Sequence, residues 1–238
     1  MQEVSFIDLG LMDYKKAWDY QAGLQKRIVD AKTGIQADTV KNYLLFVEHP
    51  HVFTLGKSGK ENNLLIPDDV LSSIHASFYK IDRGGDITYH GPGQLVGYPI
   101  FDLNDFGMGI RDYIHNLEQA IINSLSEIGI AASRLEGATG VWLDVDNPGR
   151  TRKICAIGVR VSRSVTMHGF AFNVNTDLNY FRYIHPCGFI DKGVTSMERE
   201  LGAVQSMDKI KKLLLHHLEH AFHFNAIPES PDNNQIYR

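Results

Sequence analysis

Apolar residues recur at intervals of three and four in three stretches, and each stretch predicts a helix with one buried face. The clearest runs through Ile110, Tyr113, Ile114, Leu117, Ile121, Leu125 and Ile128, with Gly129 as its stop. An earlier one spans Asp13 to Lys32, with Tyr14, Trp18, Ala22 or Gln21, Leu24 and Ile28 near one side. The third, SMDKIKKLLLHHLEHAFHF, starts from Ser206 as its N-cap. Shorter apolar runs predict strands: SFIDLG, NYLLFVEHP up to Pro50, QLVGYPIFDL, GVWLDV, KICAIGVRVS and TMHGFAFNVNT. The turn DNPGRTR separates two of these, TLGKSGKENNLLIP reads as a loop, and IPESPDNNQIYR reads as a polar, flexible tail from residue 227. Strands and helices interleave irregularly, with several strands in a row. That pattern predicts an α/β (α+β) fold, a mixed sheet flanked by helices, as one domain over residues 1–238.

Strand periodicity also assigns faces. Simple alternation puts Lys153 on one side with Cys155, Ile157, Val159 and Val161. It likewise groups His168 with Phe170, Phe172 and Val174, and leaves Gly169, Ala171 and Asn173 opposite.

Composition removes several function classes. Of 238 residues, 43% are hydrophobic and 22% charged, which fits an ordinary folded domain. A net charge of −4 argues against a general nucleic-acid binder. No apolar run reaches the length of a membrane span, and MQEVSFIDLG lacks the features of a secretion signal. Two cysteines fit a reducing, cytoplasmic setting, where a cysteine counts for its reactivity.

The densest candidate chemistry is RGGDITYHGPGQLVGYPI, residues 83–100, with five glycines beside Arg83, Thr88, Tyr89, His90 and Gln94. Such a stretch serves either a tight hairpin or a pocket in which a ligand lies against bare backbone. Cys155 sits within an apolar strand and reads as a small buried hydrophobe. Cys187, in HPCGF between proline and glycine, is either an inert loop thiol or a reactive one. Lys153 either keeps its ammonium in water at a strand end or is desolvated into a base. The small residues Ala156, Gly158, Gly169 and Ala171 leave room for a straight chain, or pack strands closely. His216, His220 and His223 share a helix face without the spacing of a metal motif and read as solvated. Lys209, Lys211, Lys212, Arg150 and Arg152 are either ordinary surface charges or a basic patch for an acidic protein partner.

RGGDITYHGPGQLVGYP resembles the signature of the lipoate-pathway octanoyltransferases, with its Arg-Gly-Gly, Thr-aromatic-His, Gly-Gln and Tyr-Pro. VEHPHVFTLGK, RKICAIGVRV, HGFAFNVNTDLNYF and IHPCGFIDKGVTSM match the same family in order, from about Phe6 to the last helix. The resemblance implies a fold similar to biotin and lipoate ligase catalytic domains. It implies transfer of octanoyl from acyl carrier protein to a lysine of apo lipoyl domains, in 2-oxoacid dehydrogenase E2 subunits and the glycine cleavage H protein. It further implies a Cys187 thioester assisted by Lys153, with no metal or other cofactor. The acyl group would lie against Arg83, Gly84, Gly85, Asp86, Ile87, Thr88, Tyr89 and His90, with Ala156, Ile157, Gly158, Gly169, Phe170 and Ala171. The alternatives are an ATP-dependent ligase of the same fold, a thiol hydrolase using Cys187 with His185, His168 or His90, and a non-catalytic acyl binder.

Overall fold

The chain opens with β1 (Gln2–Leu11) and α1 (Tyr14–Lys32), followed by β2 (Asn42–Glu48) and β3 (Val52–Leu55). Next come α2 (Asp68–Ser73), β4 (Ser77–Lys80), β5 (Ile87–His90) and β6 (Gln94–Ile100). α3 (Ile110–Glu127) leads to β7 (Ser133–Leu135), β8 (Ala138–Leu143), β9 (Arg152–Ser162) and β10 (Val165–Asn173). The last elements are β11 (Gly193–Val194), α4 (Met197–Leu201), α5 (Met207–Phe222) and β12 (Phe224–Pro228). This computed structural model describes residues 1–35, 41–185 and 192–231.

Among the described residues a nine-stranded sheet takes the order β12-β1-β2-β6-β10-β9-β8-β7, with β11 beside β9. β12, β1 and β2 run parallel, and β2, β6, β10, β9 and β8 pair antiparallel, so the sheet is mixed as the sequence pattern predicts. A smaller sheet, β4-β3-β5, carries the start of the glycine-rich stretch. β2 explains the unbroken run NYLLFVE: Leu44 and Phe46 join one core, Leu45 and Val47 the other. α3 and α5 cover the first face through Tyr113, Leu117, Ile121, Leu125, Leu214, Leu218 and Phe222. α1 covers the second through Ala17, Tyr20, Leu24 and Ile28. Each such leucine, isoleucine or phenylalanine contributes about 1.5–3 kcal/mol by leaving water.

α1 begins where its cap requires, with the Asp13 carboxylate accepting the Lys16 amide at 3.1 Å. Its buried face includes Gln21 and not Ala22, with the Gln21 Oε1 accepting the His168 amide of β10 at 3.0 Å. Ser206 occupies the N-cap position of α5 without a side-chain cap bond, and His223 ends that helix in the left-handed conformation. β3, α2, β7 and α4 are too short for periodicity to reveal, and β3 takes Thr54 and Leu55 out of the expected loop. β12 is a second difference. Ile227 and Pro228, read as the start of a polar tail, pair with Ser5 and Phe6 of β1. A proline ending an edge strand leaves no ladder bond unmade, so the sheet recruits a segment that composition alone reads as tail.

Candidate active site

A cavity of about 440 Å³ lies between residues 83–90 and strands β6, β10 and β9. Arg83, Gly84, Gly85, Asp86, Ile87, Thr88 and His90 line one wall; Ala156, Ile157, Gly158, Gly169, Phe170 and Ala171 line the other, with Lys153. Tyr89 is the exception. Strand alternation turns it away from its neighbours Thr88 and His90, into an aromatic stack with Tyr180 at 4.8 Å and a 2.7 Å bond to His51. Ala156 and Ala171 are register partners, so two methyl groups face each other across β9 and β10 on the cavity wall.

Glycine serves two purposes here. Gly85 has φ +86, a conformation in which side chains are strained, and borders the cavity. Gly169 answers to packing: a Cβ there would stand 2.1 Å from the Gly97 carbonyl oxygen of β6. Of the four small residues that promised room for a chain, Gly169 therefore serves the contact between strands.

β9 departs from simple alternation at the residue that matters most. Val141 of β8 is opposite Cys155, but the next residue, Trp142, is opposite Lys153. The one-residue excess on β9 is a β-bulge, and it turns both Ile154 and Cys155 into the α3/α5 core. Lys153 consequently lies on the cavity side with Ala156 and Gly158, and the expectation that it shares a face with Cys155 is corrected. Its Nζ sits 4.5 Å from the centre of the Trp142 ring, a cation–π contact. Gly140, at φ +121, keeps the approach clear, since a Cβ there would meet the Cys155 carbonyl oxygen at 2.6 Å and Lys153 Cε at 3.4 Å.

Cys155 is fully buried, its thiol 3.5 Å from the Ala156 carbonyl oxygen, and burial pushes its pKa far up. Such a thiol is a small hydrophobe and not a nucleophile. Cys187 lies outside the described residues, and so does the pairing of its sulfur with Lys153. The placed residues on either side are His185, whose amide donates to Asn63 at 2.8 Å, and β11, where Gly193 and Val194 pair with Arg152 and Lys153. The Thr195 amide donates to the Lys153 carbonyl at 2.9 Å. Among the described residues, the strand that follows residues 186–191 is thus zipped directly onto the Lys153 backbone.

The opposite wall is polar and buried. The Arg83 Nη2 donates to the Thr54 carbonyl at 2.8 Å and to its hydroxyl at 3.0 Å. His90 contacts Gln94 Oε1 at 2.8 Å through Nδ1 and Thr54 Oγ1 at 3.3 Å through Nε2. Burial, then His49 and Arg83, push its pKa down, so His90 is neutral. With both nitrogens occupied, it is a poor donor for a developing oxyanion and a poor base for a thiol. His168 also leaves its expected neighbours. At φ +61, its amide donates to Gln21 of α1, its ring shares Asp82 with Arg160, and it lines the cavity. Burial lowers its pKa against the opposing pull of Asp82.

Tyr14, Gln94, Val96, Tyr98, Ile114, Gly137, Ala138, Thr139, Asn173, Phe181 and Val194 also line the cavity. Gln94 and Asn173 carried a signal, as polar residues inside strands. Tyr14 carried none, being an ordinary aromatic on an amphipathic helix. Of the basic candidates, Arg152 is held by Glu200 and Asp144, and Lys211 by Asp8, so these charges already have partners.

The signature of the lipoyl protein ligase A/B catalytic domain matches residues 13–219. The chain belongs to that family. An octanoyltransferase of Bacteroides fragilis is 56% identical over 207 residues, covering 87% of this chain and 92% of its own. One from Cytophaga hutchinsonii is 53% identical over 221 residues, covering 90% and 91% respectively. A solved structure from an archaeal lipoylation system, a bipartite lipoate protein ligase of Thermoplasma acidophilum, superposes with a TM-score of 0.75. That similarity covers 99% of this chain and 89% of the other at 17% identity, and speaks for the lipoyl protein ligase A/B fold alone. Among the described residues of this family member, no helix is long and apolar enough to cross a membrane.

Proposed function

We propose that this lipoyl protein ligase A/B family member is an acyltransferase that carries octanoyl from octanoyl-acyl carrier protein to a lysine of an apo lipoyl domain. The acceptors are the lipoyl domains of 2-oxoacid dehydrogenase E2 subunits and the glycine cleavage H protein. Lys153 takes the proton of the Cys187 thiol, the thiolate attacks the donor thioester carbonyl, and the carrier's thiolate leaves, taking that proton back from Lys153. The acceptor amine then attacks the Cys187 thioester, loses a proton to Lys153, and expels the Cys187 thiolate. A thiol near pKa 8.5 is mostly protonated at neutral pH, and an amine near 10.4 almost wholly so; each half-reaction therefore needs a proton acceptor. No nucleotide enters, because the donor thioester is already activated.

The observation that carries this reading is the position of Lys153, on the cavity wall and paired through its backbone with β11. The walls suit an unbranched acyl chain: Ile87, Ala156, Ile157, Val96 and Ala171 supply apolar surface, and the site excludes competing thiols such as Cys155. The test is incubation with octanoyl-acyl carrier protein and an apo lipoyl domain, without nucleotide, read by mass spectrometry. The lipoyl domain gains one octanoyl group. Gain only with free octanoate and ATP, or release of octanoate without an acceptor, overturns the proposal.

A further inference from the structure

One buried series of hydrogen bonds crosses the cavity from Arg83 to the backbone of Lys153, and its direction can be read from one end. The Thr195 carbonyl can only accept, so the Asn173 group 2.9 Å away must be its Nδ2 amide. Asn173 Oδ1 then faces Gln94, which presents Nε2 to it at 2.9 Å and to the Tyr89 carbonyl at 3.1 Å. Gln94 Oε1 is left to face His90 Nδ1, which must hold the proton, and His90 Nε2 is left bare. The Thr54 hydroxyl donates to that nitrogen while accepting from Arg83. Every bond has the same sense, and bonds aligned in this way polarise one another. The side chains of Thr54, His90, Gln94 and Asn173 are all buried. Beyond Thr195, the amide-to-carbonyl bond reaches Lys153 itself.

We propose that Gln94 and Asn173 are positioning residues in this one-way chain, holding the Lys153 backbone in register with the Arg83–His90 wall. The inference rests on the acyl-transfer reading above and goes beyond it, because that reading gives neither residue a part. Ionised, the Asn173→Asp carboxylate has no proton to donate to Thr195 and the Gln94→Glu carboxylate none for Asn173; both keep the size of the side chain.

The chain is tested first in the intact wild-type protein by nitrogen-15 NMR of histidine. His90 stays neutral, with its proton on Nδ1, through the pH range in which an ordinary histidine titrates. A proton on Nε2, or titration near the ordinary value, overturns the chain. Its role is tested by kinetics. N173D and Q94E each lower kcat for octanoyl transfer about tenfold to a hundredfold, with KM for the donor changed less than about threefold. Because they break one chain, Q94E/N173D is no slower than N173D alone. Unchanged kcat, or losses that multiply, overturn the positioning role. The wild-type octanoyl adduct, read by mass in the same samples, reports on acyl transfer separately, so failure of that reading is distinguishable from failure of this one.

Discussion

The two faces of β9 differ more than their shared sequence suggests. Cys155 and Ile154 lie in a dry core between α3, α5 and the sheet, while Lys153 faces a cavity walled by arginine, histidine, glutamine and asparagine. One extra residue separates these fates, since without the bulge Lys153 and Cys155 would point the same way. A thiol and an amine close in sequence need not be close in chemistry. On the core face a polar group is inert by burial; on the cavity face it is available by geometry.

The largest expected effect removes the amine. Lys153→Ala slows single-turnover octanoyl transfer about 10²- to 10⁴-fold, the range of a lost proton-transfer group. Cys155→Ala leaves that rate unchanged, and equal losses in both variants would erase the distinction between the faces.

Acid acts through the buried histidines beside the cavity. His49 is buried against the Met12 carbonyl and the Tyr98 hydroxyl, and burial lowers its pKa from 6.5 to about 4. Between those values the unfolded chain binds a proton that the folded one refuses, so stability present above pH 6.5 is lost as pH falls toward 4. His49 alone accounts for about 3 kcal/mol of that loss. His90 and His168, on the cavity wall, shift in the same direction and add to it. Thermal melts across this range show a falling Tm, and His49→Gln flattens the slope; a flat wild-type profile contradicts the buried, neutral assignment.

The architecture was legible in the sequence because it rests on long periodic runs. α3, α5 and the strands β2, β6, β9 and β10 were readable from spacing, and a mixed sheet follows from their order. The bulge at Ile154 and the left-handed His168 were not, because each depends on which strand lies beside it and not on local pattern. Of the residues expected along the acyl group, Tyr89 alone is off the cavity wall, and alternation within ITYH could have said so. The Pro-Cys-Gly setting left Cys187 open as inert or reactive, the resemblance to the octanoyltransferases favours the reactive thiol, and the residue lies outside the described residues.

Two smaller effects sharpen the contrast. Ala156→Leu projects into the cavity opposite Ala171 and lowers kcat/KM for octanoyl about tenfold to a hundredfold, while butanoyl transfer falls less. Equal losses for both chain lengths would mean that Ala156 does not border the acyl group. Cys155→Ala costs about 1 kcal/mol of stability in a denaturant titration and nothing in rate, as expected of a core side chain.

The claim underneath all of this is that octanoyl rests on one sulfur of this chain and not the other. Intact-mass measurement after mixing with octanoyl-acyl carrier protein, in the absence of an acceptor, reads it directly. The account predicts one octanoyl group on the wild type and on Cys155→Ala, and none on Cys187→Ala. An adduct that survives Cys187→Ala, or disappears with Cys155→Ala, contradicts it.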